Sequence, residues 1–150
     1  MKLLEQNHVK YGLIMCAVIL ACLIYMSITG VEFSEKSPIV MLFTFIAPFI
    51  IWFLGIKEYK KSLKGKMTFK QGTIQGFKIS LVYATVSPFI FMVFYFINPS
   101  LLEYARTAYG LTTATDNVVI AVDMLIQFVA AIVGGTVYGA ILSIFLKSKK

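Results

Sequence analysis

Residues 124–146 read MLIQFVAAIVGGTVYGAILSIFL, a run of 23 residues without a charged side chain. An α-helix needs about 20 apolar residues to cross the roughly 30 Å of hydrocarbon in a bilayer. Three more uncharged runs of 20 to 24 residues precede it, at 11–31, 37–56 and 79–102. Lipid offers backbone N–H and C=O groups no hydrogen-bond partner, so each run must pair these groups internally, as a helix does. The sequence therefore predicts four transmembrane helices.

Composition indicates the same class. Of 150 residues, 59% are hydrophobic and 14% charged, whereas soluble domains average about 45–50% apolar and about 25% charged. All charged residues lie outside the four runs, so the net charge of +7 does not indicate a nucleic-acid partner. We expect one domain over 1–150, an all-α integral membrane four-helix bundle with helices at about 9–30, 37–57, 68–98 and 117–147.

The connecting segments predict the orientation. Of 14 Lys and Arg residues, 12 lie in the N-terminal tail, the second loop and the C-terminal tail, and two lie in the first and third loops. Cytoplasmic segments of membrane proteins carry an excess of Lys and Arg. Both termini are therefore predicted to be cytoplasmic, with membrane lipids as partners of the apolar helix faces.

Local signals mark the helix ends. Thr68 and Gln71 have the spacing of a capping box, which starts the third helix before its apolar run. Asn98 and Pro99 suit the cap and first position of a short amphipathic helix in the third, outer loop. One face of that helix would carry Leu101, Leu102, Ala105, Ala108 and Tyr109, and the other Glu103 and Arg106.

Small residues recur along the fourth helix. They are Ala131, Gly135, Gly139 and Ser143, four positions apart, with Gly134 alongside. Gly135 and Gly139 form a GxxxG motif, which lets two helix backbones approach closely. Two interpretations follow. The stripe packs against another helix of the same chain, or it contacts another subunit.

Asp123 and Gln127 continue the same four-residue progression toward the outside. An ionisable residue within a membrane is a functional candidate, which makes these two residues a candidate polar site. Counting about 20 residues back from Lys147 ends near Gln127. This position favours a capping or interfacial carboxylate at Asp123.

Pro48 and Pro88 lie near the middle of the second and third helices and predict kinks, because each removes a backbone hydrogen bond. Broken helices bind ions in some transporters, but no charged residue lies near either proline, so kinks that serve packing are favoured. The second loop is rich in lysine. These lysines can serve only to keep the loop on the cytoplasmic side, or they can also contact anionic lipid. The candidates for lipid contact are Lys57, Lys60, Lys61, Lys64 and Lys66.

Reactive side chains are scarce. His8 is the only histidine and has no second His or Cys at ligand spacing, so no metal site is predicted. Cys16 and Cys22 are six residues apart on one helix, too far for a disulfide. The sequence contains no nucleophilic triad and no phosphate-binding loop. We expect no catalytic residue, no cofactor and no enzymatic activity.

Residues 65–72, GKMTFKQG, precede a transmembrane helix with a central Ser-Pro. Downstream follow Asn98-Pro99, then Leu102-Glu103-Tyr104, and a glycine-bearing last helix that ends in lysines. This arrangement resembles the DUF4199 membrane proteins of Bacteroidota. The resemblance implies four membrane helices and a location in the bacterial inner membrane, and it implies no activity.

Two functions are compatible with these features. The first is a non-enzymatic structural or accessory subunit, in a homo-oligomer or with a membrane-protein partner, whose last helix docks through the small-residue stripe. The alternative is a small channel or carrier with a path near the proline kinks and the Asp123/Gln127 mouth. A stripe that faces outward from an apolar bundle favours the subunit, and a polar groove inside the bundle favours the carrier.

Overall fold

The computed structural model describes residues 6–30 and 38–148. In these ranges the chain is helical and contains no strand. Four of its helices are long and apolar enough to cross a membrane, which confirms the predicted all-α membrane fold. The elements in chain order are α1 (Asn7–Thr29), α2 (Pro38–Met41), a π-helical segment (Leu42–Ile46), α3 (Ala47–Ser62), α4 (Phe69–Ile97), α5 (Pro99–Ala108) and α6 (Asp116–Leu146).

The second membrane helix consists of α2, the π-helical segment and α3. The backbone stays right-handed at Met41, Ile46 and Ala47, so the three parts form one continuous helix. The wider π turn immediately precedes Pro48, which has no N–H to donate and whose ring crowds the preceding turn of an α-helix. The sequence predicts a kink at Pro48, and the structure contains a π turn just before it.

This helix ends at Ser62, beyond the predicted end at about residue 57. The uncharged run stops at Ile56, but the Lys and Glu residues that follow have high helix propensity and continue the helix beyond the apolar segment. Lys64 and Gly65 then adopt positive φ angles of 52° and 80° and turn the chain toward α4. Glycine adopts a left-handed conformation readily, so Gly65 suits this turn.

The predicted capping box begins α4. The Thr68 hydroxyl accepts a hydrogen bond from the Gln71 backbone N–H at 3.2 Å, and the Gln71 side chain accepts one from the Thr68 N–H at 2.9 Å. Pro88 is buried inside α4, which continues through it to Ile97. Asn98 then caps α5 through the N–H of Ser100 at 3.2 Å.

The most extensive helix–helix contact joins α4 and α6, with α1 on the other side of α4 and α3 between α1 and α6. Trp52, Ile56, Ile79 and Met15 lie at the centre of the core. Large apolar side chains such as Phe96 and Phe145 point outward and are almost fully exposed. A bundle with such an apolar outer surface is suited to lipid.

Residues near both ends of the chain meet at one end of the bundle. Lys10 on α1 forms a 3.0 Å ion pair with Glu58 on α3, and the Ser148 hydroxyl donates to the Gly65 carbonyl at 2.6 Å. Lys10 and Ser148 therefore both lie near the end of α3 and the segment that follows it, and the orientation of the termini stays a prediction. The first-loop charges Glu32, Glu35 and Lys36 and the terminal Lys149 and Lys150 lie outside the described residues.

Candidate ligand-binding site

Part of the small-residue stripe on α6 packs within the chain, against a second stripe on α4. A Cβ atom added to Gly76 would lie 2.5 Å from the Cα of Gly139, and one added to Gly139 would lie 2.9 Å from the Cα of Gly76. Real Cβ atoms do not approach other atoms this closely, so the two backbones are in contact. We call the six residues of this contact the glycine seam: Gly72, Gly76 and Ser80 on α4, and Gly135, Gly139 and Ser143 on α6.

The serines of the seam satisfy their hydroxyls within their own helices. Ser80 donates to the Gly76 carbonyl at 2.8 Å, and Ser143 donates to the Gly139 carbonyl at 2.5 Å. The Trp52 indole N–H lies 3.3 Å from both the Gly76 carbonyl and the Ser80 hydroxyl. The seam therefore contains no unpaired side-chain donor and is closed on one side by a tryptophan.

Sequence reasoning missed the α4 half of the seam, although its signal is present. Gly72, Gly76, Ser80 and Ala84 recur every four residues and are all buried. This is the same small-residue spacing that marks α6. A search for two complementary stripes, rather than for one GxxxG motif, would have paired α4 with α6.

Ala131 and Gly134, the other two members of the predicted packing stripe, do not belong to the seam. A Cβ atom added to Gly134 would meet nothing within 4 Å. Both residues instead line a cavity of about 460 Å³ between the helices. Most of the lining is apolar or aromatic, and it includes Met15, Trp52, Tyr83, Phe91 and Tyr138. Pro48 also lines the cavity, whereas Pro88 does not.

The part of the cavity near α5 is lined by the candidate polar residues. Asp123 is 3% exposed. Its Oδ1 accepts a hydrogen bond from the Tyr109 hydroxyl at 2.6 Å, and its Oδ2 accepts from the Tyr95 hydroxyl and the Gln127 amide. All four residues line the cavity. We call them the Asp123 cluster.

The interpretation of Asp123 as a helix cap is wrong. The N-cap of α6 is Thr115, and Asp116 is the acidic residue of the first turn. Asp123 lies about two turns further along the helix, where backbone N–H groups are already paired. Its side chain faces Tyr95 on α4 and Tyr109 beyond α5, so two tyrosines distant in sequence surround it. Its depth in the bilayer stays a prediction.

The segment between α5 and α6 holds Tyr109 in position. Arg106 forms ion pairs with Glu103 at 3.3 Å and with Asp116, and it donates to the carbonyls of Leu111 and Ala114. Its side chain is 15% exposed, and its i,i+3 ion pair with Glu103 places the two residues on one face of α5. These bonds connect the end of α5 to the start of α6, and Tyr109 lies between them.

The cluster is suited to an ionised carboxylate, which accepts hydrogen bonds and donates none. Burial, followed by the hydrogen bond to Asp123 and its negative charge, raises the pKa of Tyr109. The phenol therefore keeps its proton and serves as a donor. Among the described residues, no Lys or Arg forms an ion pair with Asp123.

The remaining candidate residues form no second site. The candidate lipid-contacting lysines Lys57, Lys61, Lys64 and Lys66 are exposed and Lys60 is half-buried, with Lys57 stacked 5.5 Å from the Phe53 ring. Cys16 and Cys22 are buried free thiols. Within residues 6–30 and 38–148, no three His, Cys, Asp or Glu side chains lie close enough to hold a metal ion.

No curated protein and no solved structure matches this chain. A family model does match, over residues 10–148, and its description is "Protein of unknown function (DUF4199)". The match extends from α1 through α6 and contains the seam, the cavity and the Asp123 cluster. It also contains the GKMTFKQG stretch on which the resemblance was based. The chain belongs to the DUF4199 family.

Proposed function

We propose that the protein is a non-enzymatic membrane protein that binds a small, largely apolar molecule in its cavity, as the binding step of a carrier. The observation that supports this function is the cavity of about 460 Å³ with the polar Asp123 cluster in its wall. Ligand pockets in proteins span about 300–1,000 Å³ and combine an apolar lining with a few convergent polar groups.

The orientation of the seam favours the carrier over the docking subunit. The subunit hypothesis depends on a small-residue stripe that faces outward, but Gly135, Gly139 and Ser143 face α4 of the same chain. Homo-oligomerisation through this stripe therefore loses its support. The carrier hypothesis depends on polar groups inside the bundle, and Asp123 and Gln127 meet that condition.

The cavity reaches the lipid-exposed surface. Phe45, in the π-helical segment, lines the cavity and is 59% exposed. A single π turn inside an α-helix is rare and is frequent at functional sites. The ligand that we propose enters from the bilayer past this segment.

Trp52 is the only tryptophan of the chain, and it lines the cavity, so it reports on occupancy. The probes are a trimethylammonium group joined by a butyl chain to a bromophenyl ring, and the uncharged isostere with carbon in place of nitrogen. Bromine quenches indole fluorescence at short range. We expect saturable quenching of Trp52 in purified protein by at least one probe.

The matched variants are Gly134→Leu, which fills open space in the cavity, and Val133→Leu, which enlarges a side chain that is 56% exposed. Gly134→Leu is expected to abolish saturable quenching, and Val133→Leu to preserve it. Quenching that is linear in probe concentration, or equal in the two variants, contradicts a binding function for the cavity.

The location that we propose is the bacterial inner membrane, with both termini cytoplasmic, on the support of the 12-to-2 distribution of Lys and Arg. In a background without Cys16 and Cys22, Thr113→Cys is expected to react with an impermeant thiol reagent added to intact cells. Ser62→Cys should react only after the cells are opened. Both side chains are exposed, so access to solvent is matched. Labelling of Ser62→Cys in intact cells would reverse the orientation.

A further inference from the structure

Among the described residues that line the cavity, only Asp123 has a charged side chain. The carboxylate is buried and receives hydrogen bonds from Tyr95, Tyr109 and Gln127, all of which are uncharged. Removing a charge from water is costly unless an opposite charge compensates it. The basic side chain nearest in the loop, Arg106, is already paired with Glu103 and Asp116.

Aromatic rings dominate the rest of the cavity wall. Nine of its 24 lining residues are Phe, Tyr or Trp, whereas aromatic residues make up 15% of the chain. Trp52 contacts the rings of Tyr83 and Tyr138, each with its centroid 6.3 Å from that of Trp52, so the three rings form a cluster. Such rings offer a large apolar surface against which the body of a ligand can pack.

We propose that the ligand is an organic ammonium cation with an apolar body, a proposal that rests on the cavity-binding function above. The ammonium group lies against the Asp123 carboxylate, and the apolar body extends toward Trp52. Asp123 and Gly135, which is next to Trp52, are 12 residues apart on α6, a rise of about 18 Å. An elongated molecule therefore fits better than a compact one.

Other ligand classes fit the same groups less well. A metal cation of the Na⁺ or Ca²⁺ type needs about six oxygen ligands, but Tyr109, Tyr95 and Gln127 direct donor groups, not free oxygens, toward the carboxylate. An anion would meet a negative charge with no basic side chain in the described lining. A neutral ligand would leave the Asp123 charge uncompensated.

The test compares the two bromophenyl probes, which share one shape and differ in charge. In unaltered protein we expect the ammonium probe to quench Trp52 with at least tenfold higher affinity than its carbon isostere. Asp123→Asn keeps the size and an acceptor oxygen of the side chain but removes its charge. It is expected to reduce this preference to about twofold or less without changing the affinity for the isostere.

The possible outcomes distinguish failure of the ammonium proposal from failure of the cavity-binding function. Equal affinities of unaltered protein for both probes, with quenching lost in Gly134→Leu, would overturn the ammonium proposal and leave cavity binding intact. Absence of saturable quenching by either probe overturns both. If Asp123→Asn does not fold, the charge preference of the unaltered protein decides alone. If a folded Asp123→Asn protein still prefers the ammonium probe to the same degree, Asp123 is not the residue that binds the ammonium group.

Discussion

The α4–α6 pair is built differently at its two ends. At the seam end, Gly76 and Gly139 bring the two backbones into contact and leave no free space. At the other end, long polar side chains such as Tyr95 and Gln127 bridge the helices, and a cavity of about 460 Å³ remains beside them. In lipid, where helix association depends on close packing and interhelical hydrogen bonds, a tight seam can stabilise the pair while the other end stays hollow.

The largest effect is expected at the centre of the seam. Gly139→Leu places a side chain against the Cα of Gly76, a backbone atom that cannot move aside without separating the helices. We expect a loss of about 3 kcal/mol in the free energy of unfolding, at the upper end of the usual cost of overpacking. Thermal or denaturant unfolding in detergent measures this loss.

The control is Val137→Leu, two residues away on α6 at a side chain that is 50% exposed. It should stay within about 0.5 kcal/mol of the unaltered protein, as surface substitutions do. Equal stability of both variants would mean that the seam does not hold α4 against α6.

A smaller effect is expected in the Asp123 cluster. Tyr95→Phe removes one of the hydrogen bonds to the buried carboxylate and leaves those from Tyr109 and Gln127. Loss of one donor to a buried acceptor costs about 1–3 kcal/mol. We expect a value near the lower limit, because two donors remain.

Tyr25→Phe is the control for this second substitution, because the Tyr25 side chain on α1 is exposed. Both variants lose one hydroxyl from a membrane helix, so the difference between their unfolding free energies isolates the cluster. If Tyr95→Phe is as stable as Tyr25→Phe, the hydroxyl of Tyr95 does not stabilise the buried carboxylate.

The sequence predicts those features that depend on local properties of the chain. The four apolar runs identify the membrane helices because helix length and hydropathy follow from the sequence directly. The capping box at Thr68 and Gln71 involves residues three positions apart and forms as predicted. The second stripe on α4 has an equally local signal, and only the search for a single motif missed it.

The candidate site depends on contacts between distant residues, which local patterns do not contain. Asp123 meets Tyr95, 28 residues away, and Tyr109, 14 residues away. Its burial follows from how α4, α5 and α6 pack, whereas counting residues from Lys147 predicted only a capping or interfacial carboxylate. Likewise, Gly134 and Gly135 are identical residues that both line the cavity, and only the helix packing shows that an added Cβ atom has open space at Gly134 and none at Gly135.

These two adjacent glycines provide the most direct test of the account. A Cβ atom on Gly135 collides with the Ser80 side chain and lies 2.8 Å from the Trp52 ring, whereas one on Gly134 meets nothing. The measurement is the free energy of unfolding of Gly134→Leu and Gly135→Leu in the same detergent. We predict that Gly135→Leu loses about 2–3 kcal/mol and that Gly134→Leu stays within about 0.5 kcal/mol of the unaltered protein. Equal destabilisation of the two variants would contradict a tight seam beside an open cavity.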